Sequence, residues 1–119
     1  MSSRILLMGI LSLALATVAV AGIETSSPEQ RAKLQTEYMR DHLGLDAATV
    51  TKIDAINLKY AKQMEPVIKG DDNRLSKMAK SKPIMAAKDQ DLKAVLTPAQ
   101  FAQYSDQKDA IKDYLESHL

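Results

Sequence analysis

Cysteine and tryptophan are both absent. The first absence excludes a disulfide framework and any thiolate metal site. The second, with one phenylalanine and four tyrosines, leaves few large anchors for a core. Histidine is limited to His42 and His118. Asp41 and His42 are neighbours that diverge on a helix, and His118 stands at the fraying end, so no metal is expected. No Gly-rich phosphate loop occurs, and no cofactor is expected. Asp71-Asp72-Asn73 lacks the spacing and the closing glutamate of a calcium loop. Asp106, Asp109 and Asp113 alternate with Lys108 and Lys112, the pattern of an exposed ion-paired face rather than of an enclosed acid–base pair. The serines have no discernible base beside them. These absences describe a protein that is not an enzyme.

What is present begins with a leader. Arg4 precedes an apolar run from Ile5 to Val20, and Ala19-Val20-Ala21 has the small-x-small form of a signal peptidase site, with cleavage before Gly22. The run is near the ~20 residues that a membrane span needs, but the cleavage site favours export to the periplasm. Residues 22–119 then remain as one domain: a flexible lead over 22–27 and a helical body over 28–119. Its charge is uneven. Residues 22–58 hold four basic and six acidic groups, 59–93 hold nine and five, and 94–119 hold two and four. The central excess reads either as a solvated helical face or as a basic surface for acidic partners. An exported chain that is neutral overall is not expected to bind nucleic acid.

Apolar residues recur at helical spacing and never alternate, so the fold class is all-α. Ser27-Pro28-Glu29-Gln30 combines a hydroxyl cap, proline at the first helical position and glutamine two residues later. It starts a helix over 28–43 that Gly44 ends. Asp46 caps the second helix, where Val50, Ile53, Ile56, Tyr60, Met64 and Val67 form one stripe and Pro66 loosens the end. Gly70–Asn73 is the turn. The third helix is capped by Asp71 or Asp72 and runs to Leu96, with Leu75, Met78, Met85, Leu92 and Val95 on its apolar face and a potential break at Ser81-Lys82-Pro83. Thr97-Pro98-Ala99-Gln100 repeats the capping grammar, with Leu96 placed to staple onto Phe101, and the fourth helix spans 98–116. The expected architecture is a long antiparallel hairpin with a shorter helix at each end. Its thin third stripe and scarce aromatics suggest a homodimer sharing Val50, Ile53, Ile56 and Tyr60.

Leu96-Thr97-Pro98-Ala99-Gln100 in an exported all-α chain resembles the Spy/CpxP family, whose motif is LTxxQ. The first copy of the motif falls at Leu45-Asp46-Ala47-Ala48-Thr49, where aspartate keeps the capping role and the reach-back amide is missing. The resemblance covers about residues 34–115. It implies thin helices that dimerise into a curved cradle, and an ATP-independent role in binding unfolded or misfolded proteins during envelope stress. An alternative is a regulatory module that docks on a membrane stress sensor. A metal-responsive branch carries His-rich termini that this chain lacks. On the chaperone reading, clients would meet Lys59, Lys62, Met64, Lys69, Arg74, Lys77, Met78 and Lys80. Met39, Met64, Met78 and Met85 fill the core or form an adaptable client surface.

Overall fold

The computed structural model describes residues 22–119, and the expected signal peptide, residues 1–21, lies outside the described residues. The fold is all-α. It comprises α1 (Pro28–Leu43), α2 (Ala47–Lys69), α3 (Arg74–Val95), α4 (Pro98–Asp106) and α5 (Lys108–His118). Residues 22–25 ahead of α1 are also helical, and Ser26 is buried. Gly22 sits so close to the chain's far end that a Cβ there would stand 2.4 Å from the Leu119 carbonyl carbon.

The helix starts follow local chemistry. Ser27 Oγ accepts from the Gln30 backbone N–H at 3.1 Å, and Gln30 Oε1 accepts from the Ser27 N–H at 2.8 Å. The same reciprocal box holds α4, at 3.1 Å and 3.0 Å between Thr97 and Gln100. Asp46 Oδ1 accepts from the Thr49 N–H at 2.7 Å, and that bond holds its carboxyl below the usual range. Gly44 closes α1 with φ 62°, a left-handed position that suits glycine.

Three expectations are corrected. Asn73, not Asp71 or Asp72, caps α3, accepting from the Ser76 N–H at 2.9 Å, while Asp72 is paired with Lys80. Pro83 lies inside a continuous helix, so the potential break at Ser81-Lys82-Pro83 does not occur; Pro66 sits inside α2, which ends three residues later. A single internal proline removes one hydrogen bond from a ladder of some twenty, and the flanking turns carry the helix across. Conversely, the last helix is not continuous over 98–116. Gln107 (φ −103°, ψ 10°) separates α4 from α5, with its N–H shared between the Gln103 and Tyr104 carbonyls.

Packing centres on α2, which lies between α1 and α3. Its inward surface is therefore wider than a single stripe, with Ile53, Asn57, Tyr60 and Ala61 buried. Met39, Leu43, Leu92, Leu96, Tyr104, Ile111 and Leu115 complete the core. Burying each of the larger aliphatic side chains contributes about 1.5–3 kcal/mol. Ile53 and Tyr60 are thus committed to the chain's own interior and are not free to form the shared dimer core expected of them. On α3 the inward line runs through buried Leu92 and Lys88 and half-buried Met85 and Ser81, at steps of four, three and four. Met78 continues the line toward the tip but is 52% exposed there, and Leu75 falls off it, 77% exposed.

Candidate functional site

The turn end of the α2–α3 hairpin forms an open pocket of about 390 Å³ lined by Met64, Val67, Ile68, Arg74, Lys77 and Met78, with the acidic Glu24 and Asp72 also on its wall. Four of the eight proposed client residues, Met64, Arg74, Lys77 and Met78, therefore come together there. Lys77 Nζ also donates to the Ile68 carbonyl at 2.9 Å, tying the two helices at the tip.

The remaining cations do not form an open basic surface. Lys59 pairs with Asp91 at 3.3 Å, Lys69 with Glu65, and Lys80 with Asp72. Lys62 is exposed on α2, away from the tip cavity. Three of the nine cations in residues 59–93 are thus answered by acids of the same segment, which leaves its net positive excess in place but spread along the hairpin. Such exposed pairs contribute little to stability, about 0–1 kcal/mol each. The motif residues are structural in place: Leu96 belongs to the core, Phe101 packs against it, Leu45 does likewise, and Asp46, Thr97, Pro98 and Gln100 form helix starts.

A second, larger cavity of about 460 Å³ lies deeper, walled by α1, α2, α3, α4 and α5. Met64, Ile68 and Ser81 line both cavities, so the two share a wall. Lys88 projects into the deeper one, only 5% exposed, with Nζ donating to Gln35 Oε1. Burial pushes its ammonium down to about 8. Beside it, Tyr104 donates to Asp89 Oδ1 at 3.0 Å and Lys108 to Asp89 Oδ2 at 2.5 Å. Burial, then the Asp89 charge, raises the Tyr104 phenol.

At the outer end of this space, Arg31 is buried. One of its nitrogens donates to the Ser26 carbonyl and hydroxyl, both at 2.9 Å, and the other pairs with Glu65. Glu65 also receives Lys69, and these hydrogen bonds, Lys69's first and Arg31's second, hold its carboxyl below the usual range. His42 and His118 each stack on a tyrosine, Tyr38 and Tyr114, with ring centroids 3.9 Å apart. Among the described residues no three His, Asp or Glu side chains converge as metal ligands would. None of the described helices is long and apolar enough to cross a membrane.

A family described as a domain of unknown function, DUF4890, matches residues 21–104. The chain belongs to that family. Neither curated proteins nor solved structures give a match. The DUF4890 match reaches from the lead to Tyr104, so it takes in the hairpin, Lys88 and the Thr97 corner, with α5 beyond it.

Sequence reasoning missed the charged residues inside the DUF4890 domain. Arg31 and Lys88 are polar letters at positions where periodicity alone would leave a gap. Their signal was faint but present, since Lys88 stands four residues before Leu92, on the buried line of α3.

Proposed function

We propose that the chain is a periplasmic, ATP-independent chaperone of the Spy/CpxP type that holds unfolded or misfolded proteins during envelope stress, acting as a homodimer. The observation that carries this reading is the hairpin tip. Met78, 52% exposed, lines an open, mainly apolar pocket with Arg74 and Lys77 and the acidic Glu24 and Asp72, and Leu75, 77% exposed, follows Arg74 in the chain. Flexible methionine and open leucine suit contacts with many different apolar segments. Neighbouring cations add a weak, salt-sensitive attraction for acidic stretches of the same clients. The LTPAQ corner and its resemblance to the Spy/CpxP motif support the same reading, as does the expected export signal.

The test is aggregation of an unrelated denatured protein, followed by light scattering with and without the chain. Suppression that weakens with added salt is expected. The double variant Leu75→Glu, Met78→Glu should lose it while its urea midpoint stays unchanged, because both side chains already face water. Absence of suppression, or binding to one membrane stress sensor alone at fixed stoichiometry, would overturn the chaperone reading in favour of a regulatory module.

A further inference from the structure

The deeper cavity combines features that the hairpin tip lacks. Most of its wall is apolar, from Met39, Met64, Met85, Ile111 and Leu115. Its volume of about 460 Å³ falls within the range of small-molecule sites. Into it projects the Lys88 ammonium, 5% exposed, which donates to the neutral Gln35 side chain. An ammonium has three N–H bonds to give. None of the ion pairs among the described residues involves Lys88.

The other charges on this wall are already answered or stand toward solvent. Arg31 is bound to Glu65, and Lys108 to Asp89. Asp109 and Lys112 are exposed on α5. A buried cation with no ion-pair partner is costly, and the neighbouring Asp89 charge, already bound by Tyr104 and Lys108, and the neutral amide offset only part of that cost. An incoming carboxylate would answer the unused N–H bonds of Lys88. An aliphatic tail would occupy the methionine-lined space, where unbranched thioethers adapt to its shape. A small, strongly hydrated anion would leave that apolar wall unfilled, and an uncharged alcohol would leave the ammonium unanswered.

We propose that this cavity binds a small amphipathic carboxylic acid, an aliphatic monocarboxylate, with Lys88 as the counter-ion and Met39, Met64 and Met85 around the tail. Met64 is shared with the tip pocket, but Lys88, on which the anion preference rests, does not line it.

The experiment titrates octanoate, 1-octanol and octyltrimethylammonium into the full chain, below micelle-forming concentrations, with calorimetry and amide chemical shifts as readouts. Octanoate should bind saturably, 1-octanol at least about ten-fold more weakly, a difference of some 1.4 kcal/mol, and octyltrimethylammonium not at all. Lys88→Met should lower octanoate affinity by at least the same factor. Gln35→Glu tests the idea without touching the lysine. It places a carboxylate beside the ammonium from within, and should exclude octanoate while the thermal melt shows a folded chain. Equal affinity for octanoate and 1-octanol would overturn the proposal. So would octanoate binding that survives both substitutions, or no saturable octanoate binding by low-millimolar concentrations.

Discussion

Burial takes Lys88 on folding from an ordinary value of 10.5 down to about 8. Below pH 8 the folded and unfolded chains both carry the proton, and the folded one bears the whole cost of burying the charge. Between 8 and 10.5 the unfolded lysine keeps a proton that the folded one has released, so stability rises with pH across that window. The full gain is at most about 3 kcal/mol. Tyr104 and Tyr60 act in the opposite sense at the upper end. Their phenols are raised in the fold, so above their ordinary value of 10.0 the unfolded state loses protons that the folded state retains. Urea midpoints should therefore climb from about pH 7 to 9.5 and then turn over. Lys88→Met should be more stable than the parent at neutral pH and nearly flat over the same range. Parallel pH profiles for the two chains would refute this account of Lys88.

At the scale of the elements, the corner between α3 and α4 is a closed local circuit. Thr97→Ala should cost about 1 kcal/mol, and Gln100→Ala less, because it removes only the reciprocal bond. The two losses should not add, since either one opens the same box. A double-mutant cycle by urea melts measures this, and fully additive losses would show that the two bonds act separately. Such corners were legible in the sequence because every partner lies within three residues. The caps of α1, α2 and α4 and the Gly44 stop are all of this kind. The break at Gln107 was not legible, for no glycine or proline marks it. It coincides with Tyr104 and Lys108, one turn apart, both reaching Asp89 on α3, and sequence does not display such a tertiary constraint. Proline misled in the other direction at Pro83, where the single lost bond is outweighed by the rest of a long helix. Of the candidate site, the tip methionines and cations were named from sequence. Their pairing with Asp91, Glu65 and Asp72 depended on the register of the hairpin, and so did the burial of Lys88.

The molecule as a whole is elongated, 56 × 35 × 22 Å, with a radius of gyration of 16.7 Å. A compact domain of similar length would have a radius near about 13 Å. The elongation comes from the hairpin. Arg31, near the start of α1, meets Glu65, while Tyr60 and Lys59 meet Asp91 across the hairpin. Residues 66–81 therefore extend past the end of α1 and rest mainly on one another. Their burial is correspondingly slight, with none of them in the fully buried class. A segment held this way opens without disturbing the rest, as a separate cooperative unit with its own small free energy. Amide hydrogen exchange should divide α2 and α3 accordingly. Deuterium should enter residues 66–81 at rates set by local opening and largely insensitive to mild urea. Amides around Ile53–Ala61 and Leu92 should exchange only through global unfolding, with a steep urea dependence. Uniform protection along both helices would mean that the hairpin unfolds as a single unit. If the division holds, the end of the molecule that carries Leu75 and Met78 can melt and re-form on its own while the body stays native, and its contacts are renewed at the pace of that local breathing.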